Sequence, residues 1–471
     1  MRRECVFTGV WGLLLLSACG LCAAAASEGA ESPIDIVLEI LKGDDQEMHA
    51  AAIAMVKDMA GVEVTNALVK VLPGLPASSQ VQLLAVLGDR GDATALGAVV
   101  AAVKAADASV REGALKAVGQ LGDASSVMLL AETAAAVKGG EQKAARESLY
   151  RLRGDGIDEA ILAGIGKAEA KTKVELITGL GERNVYAGLE TLLETAKDAD
   201  RSVRIESLKV LGTLGKPKDV AALVDLLVNA ASPSDRTEAE KTVAMVAHKI
   251  DKKDEPACGG AAVLAKLPSV KDVETRCSLL SVLGRIGDNS GLGVLREALG
   301  SKEPDEQGAA IRALSMWPTS EPTVDLLAVA KGSKNDLHKT LAFRGFVRLL
   351  GLKSDRAVSE TIGMYKQAMV LAPNATEKRR VLSGLSSVPS VEALAMATEH
   401  VSDKELSGES EAAVIKIAEL IYKEHPQESE SAVKKVISST KSDSVRKQAE
   451  AVLNLITGKD KAVKTDEETA G

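Results

Sequence analysis

Residues 110–122 read VREGALKAVGQLG, and this stretch decides the fold. Residues 203–215 carry a second copy, VRIESLKVLGTLG, and residues 275–287 a third, TRCSLLSVLGRIG. In each copy the apolar residues fall near relative positions 0, 5, 7, 8 and 11, which places them along one side of an α-helix. The repeated stretch therefore predicts a series of amphipathic helices built to one pattern.

A glycine closes each copy. This glycine marks the predicted end of a helix, because glycine adopts the left-handed backbone of a C-cap at little conformational energy. Such glycines recur at intervals of about 30 residues, and a second amphipathic stretch follows each of them. The closing glycines are Gly91, Gly122, Gly154, Gly181, Gly215 and Gly287. One helix pair cannot bury both of its apolar sides, so about twelve helix–turn–helix units between residues 33 and 457 must stack. The predicted fold class is all-α, an α-solenoid.

The pattern Asp-x-x-Val-Arg, then Ala-Leu, then Leu-Gly, resembles the short HEAT-like repeat of the phycobilisome-lyase type. The resemblance is strongest over residues 81–215 and 272–288 and becomes looser beyond residue 300. It implies stacked helix pairs with an extended surface for a protein partner. Some members of the resembled family act on chromophores or DNA bases, so the resemblance leaves an enzymatic helper open as an alternative.

An aspartate and an arginine stand four residues apart at the start of each copy. The acid suits a helix N-terminus, and the pair can also reach the neighbouring repeat. The pattern predicts a structural ladder between repeats, with an anion-binding face as the alternative. The pairs are Asp107 and Arg111, Asp200 and Arg204, and Asp272 and Arg276.

The composition fits a stack of thin helical layers. Hydrophobic residues make up 46% of the chain but aromatic residues only 2%, whereas a large enzyme normally fills part of its core with aromatic rings. The formal net charge of −8 disfavours binding to nucleic acid, which requires clustered positive charge. We therefore expect a protein partner.

The first 26 residues predict a secretory signal peptide. Arg2 and Arg3 form a basic start, an apolar stretch follows, and Ala24-Ala25-Ala26 fits the small-residue rule for cleavage before Ser27. An uncleaved signal anchor is the less favoured alternative. No later stretch has the ~20 apolar residues that a transmembrane helix needs. The protein is thus expected to be exported, to a periplasmic, secreted or membrane-anchored location.

A second cleavage pattern overlaps the first. Leu16-Ser17-Ala18-Cys19 resembles a bacterial lipobox, in which the cysteine thiol is lipidated and becomes the new N-terminus. Cys19 is therefore the candidate lipidation site. The alternative is a cysteine that merely lies within the apolar stretch, since Leu21 and Cys22 continue that stretch beyond it.

We find no sequence support for catalysis, a cofactor or a metal. The five histidines are scattered, without any pair at metal-ligand spacing. Gly164-Ile165-Gly166-Lys167 resembles part of a phosphate loop, but Ala168 replaces the required hydroxyl residue.

Cys258 and Cys277 are the two cysteines beyond the signal segment. They flank Pro268, and in a helical hairpin that bends there they would lie at similar heights. This geometry predicts a disulfide in an oxidising compartment, with two buried free thiols or a redox site as alternatives.

Four aromatic residues, including Tyr365, cluster within a 49-residue stretch that is otherwise poor in large side chains. Aromatic and arginine side chains often dominate the binding energy of interfaces, so this cluster is a candidate docking patch for a partner. The alternative is that the rings fill a less regular layer of the core. The candidate patch comprises Trp317, Phe343, Arg344, Phe346 and Arg348.

The predicted function is a non-catalytic protein–protein interaction scaffold in an extracytoplasmic compartment. The alternatives are a lyase-like or other enzymatic helper and a lipoprotein that organises the cell envelope. Residues 33–457 are assigned to the solenoid. Residues 458–471 are polar and low in large side chains, which predicts a disordered tail.

Overall fold

The computed structural model describes residues 32–43, 45–57, 59–249 and 258–458. Within these ranges there are 26 α-helices and no β-strand, which agrees with about twelve predicted pairs. The helices are α1 (Pro33–Lys42), α2 (Gln46–Val56), α3 (Val62–Val71), α4 (Ala77–Arg90), α5 (Leu96–Ala102), α6 (Ala108–Leu121), α7 (Ser126–Ala136), α8 (Gly140–Arg151), α9 (Ile157–Ile165), α10 (Ala170–Glu182), α11 (Leu189–Thr195), α12 (Arg201–Leu214), α13 (Val220–Val228), α14 (Pro233–Ala247), α15 (Cys258–Lys266), α16 (Val273–Ile286), α17 (Leu292–Leu299), α18 (Pro304–Ser315), α19 (Thr323–Gly332), α20 (Asp336–Leu350), α21 (Val358–Leu371), α22 (Ala375–Leu385), α23 (Val391–Thr398), α24 (Ser407–Ile421), α25 (Pro426–Ser439) and α26 (Asp443–Thr457). The predicted signal segment, Cys19 and residues 459–471 lie outside the described residues.

By their contacts these helices form two compact units. The first unit contains α1 to α6 together with α8, and in it α4 packs on α6 and α6 on α8. The second unit contains α7 and α9 to α26.

In the second unit the helices form two layers. Each even-numbered helix from α10 to α24 packs against the next even-numbered helix. Each odd-numbered helix from α9 to α25 packs against the even-numbered helix that follows it in the chain. Helix pairs stacked in this way form an α-solenoid, so the predicted fold class is confirmed.

The apolar stripe of the repeated stretch is the buried side of its helix. In α6 the buried residues are Val110, Ala114, Leu115, Ala117, Val118 and Leu121, at relative positions that match the predicted stripe. Most of the core residues are likewise valine, leucine and alanine, which suit closely spaced helices because their side chains are small.

Three of the closing glycines have the positive φ that the prediction requires, and one of them, Gly154, lies shortly after α8 with φ of +119°. Gly91 follows α4 with φ of +69°, and Gly287 follows α16 with φ of +65°. Both positions are C-caps, where a residue with a Cβ is disfavoured.

The same prediction is wrong for two other closing glycines and for Gly181, which lies inside α10. Gly122 and Gly215 have φ of −70° and −56°, so their backbone leaves the helix in an ordinary conformation. They are glycines for a steric reason, because a Cβ at either position would lie 2.5 Å from the carbonyl oxygen four residues earlier.

Candidate functional site

An aspartate caps each of the three repeated helices, α6, α12 and α16. Asp107 accepts hydrogen bonds from the backbone N–H groups of Ser109 and Val110, at 2.8 and 3.2 Å. Asp200 and Asp272 cap their helices in the same way. The hydroxyl of a nearby serine or threonine also donates to each carboxylate, and these hydrogen bonds lower the pKa of all three aspartates. The predicted role of the acids at the helix starts is confirmed.

The arginine one turn later binds the neighbouring repeat. Its partner is an acid near the start of the next even-numbered helix, about 30 residues along the chain, and not the capping aspartate. The same link recurs in α20. The pairs are Arg111–Glu141 at 2.7 Å, Arg204–Asp235 at 2.9 Å, Arg276–Glu306 at 2.6 Å and Arg344–Glu377 at 2.7 Å. These four pairs are the rungs of the predicted ladder.

Three of the four rung arginines, Arg111, Arg204 and Arg276, also hold the backbone that precedes their own helices. Arg204 donates from Nη1 to the carbonyl oxygens of Asp198 and Ala199, both at 2.9 Å. In the first rung, the hydrogen bond to Glu141 raises the pKa of Arg111, and the same bond lowers the pKa of Glu141. The ladder is therefore structural, and it occupies the cations that an anion-binding face would require.

The four rung acids differ in how their second carboxylate oxygen is satisfied. Glu141 uses both oxygens on Arg111, at 2.9 and 2.7 Å. Glu306 accepts from the hydroxyl of Ser301 at 2.9 Å, and Glu377 accepts from Arg380 at 3.1 Å.

Asp235 lacks this second partner. Arg204 places both Nε and Nη2 on one oxygen, Oδ2, at 3.0 and 2.9 Å. The other oxygen, Oδ1, has no hydrogen-bond partner, although it is buried and the whole residue is only 2% exposed. A buried acceptor without a donor is costly and points to an absent partner.

Asp235 and Arg204 lie at the floor of a recess of about 550 Å³ between α11 and α13. The recess is at the C-terminal ends of these two short helices, where they turn into α12 and α14. Leu193, Ala222 and Leu226 are half-buried and form its apolar walls. We treat this recess as the candidate functional site, since it combines apolar walls with one open polar group.

The other acids around the recess already have partners. Asp198 pairs with Lys173 at 2.8 Å, and Asp225 pairs with Lys266 at 2.6 Å. Glu194 pairs with Lys197 on the rim at 3.0 Å. Among the acids of the recess, Asp235 is thus the one with a buried carboxylate oxygen that lacks a hydrogen-bond partner.

The sequence predicted Arg204 as a ladder residue but missed Asp235 and the recess. No local sequence signal singles out Asp235. Ser301, five positions before Glu306, donates to that acid in the α18 rung, but alanine stands at this position in the other three rungs, as Ala136, Ala230 and Ala372.

The predicted docking patch requires a correction. Its aromatic rings are core residues, since Trp317 and Phe346 are 0% exposed and Phe343 is 3% exposed. Tyr365 is buried as well, and this burial raises the pKa of its hydroxyl to about 12. The alternative of rings that fill a layer of the core is therefore the correct one, because large apolar side chains gain most when removed from water.

The two arginines of the patch are exposed but already engaged. Arg344 belongs to the ladder. Arg348 donates from Nη1 to the carbonyl oxygens of Ser315 and Trp317, at 3.0 and 2.9 Å, and so caps the C-terminal end of α18. Both link neighbouring repeats.

The cysteine prediction stays a prediction. Cys258 is the first residue of α15, but its side chain lies outside the described residues. Cys277 lies half-buried in α16, and burial raises the pKa of its thiol to about 11.

No group of three or more His, Cys, Asp or Glu side chains in the described ranges is placed to hold a metal ion. None of the helices described is both long enough and apolar enough to span a membrane.

Residues 159–244, which contain the whole recess, match the family model of HEAT repeats. The helix stacking of the second unit agrees with this similarity to HEAT repeats. No curated protein matches the sequence significantly.

Solved structures with the same fold include karyopherins. The karyopherin Kap121p bound to the extreme C-terminus of the protein phosphatase Cdc14p aligns with a TM-score of 0.58 and 10% identity, over 91% of this chain and 54% of that chain. Kap121p bound to Nup53p gives 0.57 and 10% over the same shares. Kap95p with RanGDP gives 0.54 and 11%, over 92% and 69%. The chain thus spans about half the length of the Kap121p structures.

Proposed function

We propose that this chain is a non-catalytic scaffold that binds a protein partner in an extracytoplasmic compartment. One observation carries the proposal: the rung acids have partners on both carboxylate oxygens except at the recess, where Oδ1 of Asp235 is buried without a hydrogen-bond partner. A structural acid would be expected to have internal partners on both oxygens, as Glu306 and Glu377 have.

The fold supports the proposal by analogy. Two of the solved structures that share it are complexes of Kap121p, one with the extreme C-terminus of Cdc14p and one with Nup53p. Stacked helix pairs present long surfaces of this kind, because each repeat adds a further strip to the same face. The likeness to short repeats of the phycobilisome-lyase type belongs to the same proposal.

The proposed compartment rests on the first 26 residues. A basic start, an apolar stretch and small residues before Ser27 have the form of an export signal. Lipidation at Cys19 would add a membrane anchor to the same exported protein. In a bacterial source, a Cys19→Ser variant that loses palmitate labelling and leaves the membrane fraction would support the anchored form. An N-terminus at Ser27 in untreated protein would contradict it.

The scaffold proposal is tested by affinity capture followed by reconstitution. The full chain is used as bait in an extract of the source envelope, with chemical crosslinking and mass spectrometry. Each captured protein is then purified and titrated against the bait by calorimetry. We expect at least one direct complex with crosslinks to the solenoid. If no purified candidate binds, and turnover of a small molecule appears instead, the proposal is wrong.

A further inference from the structure

We infer that the recess between α11 and α13 binds a lysine side chain of the partner, with Oδ1 of Asp235 accepting from its ammonium group. The inference rests on the proposed function and names the chemistry of its site. It follows from the comparison of the rungs, because Asp235 is the rung acid that has an oxygen to spare.

The α22 rung shows what such a carboxylate accepts. Glu377 is 1% exposed and is held by Arg344, and it also takes a second cation, Arg380, on its other oxygen. At Asp235 the equivalent position three residues later is Glu238, which cannot donate and instead pairs with Lys241. The second cation is therefore missing from this chain and can be supplied from outside.

The recess suits a long aliphatic stem that ends in a charge. Leu193, Ala222 and Leu226 provide apolar walls, against which a lysine packs its methylene groups while the ammonium reaches the floor. The C-terminal ends of α11 and α13 add partial negative charge around the same space. A recess of about 550 Å³ also leaves room for the residues next to the lysine.

A single open oxygen favours lysine over arginine. The guanidinium fork of arginine is best matched by two acceptors, and Oδ2 of Asp235 already holds Arg204. An ammonium group needs one strong acceptor and leaves its other donors to water. Because Oδ1 is buried, an ammonium group reaches it only if the carboxylate turns about χ2, a torsion that is broad for aspartate.

The test uses a phage-displayed library of random 12-residue peptides, selected on the full chain. Two variants of α13 are selected in parallel. Ala222→Trp fills the recess, whereas Ala221→Trp places the same ring on the exposed side of the helix. We expect one motif with a fixed lysine in the wild-type and Ala221→Trp pools, and its loss from the Ala222→Trp pool.

A selected peptide is then synthesised with lysine and with Nε-acetyl-lysine at the fixed position. Acetylation removes the charge, so we expect binding to weaken by about tenfold or more, as measured by fluorescence anisotropy. Asp235→Asn should cause a similar loss. Glu306→Gln, which neutralises a rung acid that already has both partners, should bind the peptide like the wild type.

Ala230→Ser tests the site without disturbing the ion pair. It places a hydroxyl where Ser301 stands in the α18 rung, so the new serine should donate to Asp235 and weaken the binding of the lysine peptide. A motif without lysine, equal binding of the acetylated peptide, persistence of the motif in the Ala222→Trp pool, or no selected peptide would each overturn the inference. A purified partner that binds in any of these cases leaves the scaffold proposal standing.

Discussion

Gly284 of α16 lies so close to Ala313 of α18 that a Cβ on the glycine would stand 2.5 Å from both Cα and Cβ of the alanine. The two residues set the spacing of adjacent even-numbered helices. Gly119 occupies the same place in α6 and would meet Ser148 of α8 at a comparable distance. The repeat therefore needs a glycine inside the helix, although glycine is a poor helix former.

Gly284→Ala is expected to lower the free energy of unfolding by about 1–3 kcal/mol, because α16 and α18 must separate to admit a methyl group. Gly363→Ala is the matched control. Gly363 lies within α21 with open space around its Cβ position, so alanine there should stabilise the protein by about 0.5–1 kcal/mol. Urea denaturation of both variants gives the two values. Equal changes in the free energy of unfolding for the two variants would show that Gly284 does not set the spacing of α16 and α18.

Phe346→Ala tests the corrected position of the aromatic cluster. Phe346 is fully buried, so its loss should cost about 3–5 kcal/mol of stability. Met316→Ala is the control from the same region, because that side chain is 67% exposed. It should change stability by less than about 0.5 kcal/mol. Thermal melts of both variants measure the two changes in stability. A small decrease in Tm for Phe346→Ala would show that this ring is not a core residue.

The sequence predicted the helices, the buried stripe and the ladder because each depends on local spacing. Val110, Leu115 and Val118 recur at helical intervals, and such a pattern has one stable solution, a buried face. The stacking of the helix pairs follows from these buried faces, since each pair must cover the apolar face of the next pair.

The partners across repeats could not be predicted in the same way. Arg204 meets Asp235 only because α12 and α14 pack in one register, and no local rule gives that register. The docking patch was misjudged for a related reason: composition alone does not show on which side of α20 Phe343 and Phe346 lie. Gly122 and Gly215 were misassigned as left-handed because two different steric needs select the same residue.

Acid should destabilise the repeated helices through their capping aspartates. Hydrogen bonds in the folded state lower the pKa of Asp107, Asp200 and Asp272. A depressed folded pKa contributes stability that is present above the unfolded value and is lost as pH falls through the folded value. The Tm should therefore decrease below about pH 4. A triple Asp→Asn variant retains the caps without these charges, and its Tm should depend less on pH in this range.

The thiol of Cys277 should react slowly in the native, reduced protein. Burial raises its pKa to about 11, so little thiolate is present at neutral pH. The rate of alkylation by iodoacetamide should increase as pH rises towards that value and should be higher in denaturant at any pH. A fast native reaction at pH 7 would contradict the burial.

The predicted bridge is tested on exported protein that has not been reduced. Alkylation in denaturant followed by mass analysis should show no label on Cys258 or Cys277. Label on both residues would exclude the disulfide and leave two free thiols.

The α18 rung should show measurable coupling between Arg276 and Glu306. Glu306 is buried, and its side chain joins the guanidinium to the hydroxyl of Ser301. Glu306→Gln should lower the free energy of unfolding by about 2 kcal/mol, because the arginine loses a charged acceptor. The double variant with Arg276→Gln should cost less than the sum of the two single changes, by about 0.5–3 kcal/mol. Arg276→Lys should be less destabilising than Arg276→Gln but still less stable than the wild type. Arg276 also donates to the carbonyl oxygens of Leu267 and Val270, and an ammonium group cannot reproduce that fork. Urea denaturation of the four proteins completes the cycle, and strictly additive effects would mean that the rung does not join the two repeats energetically.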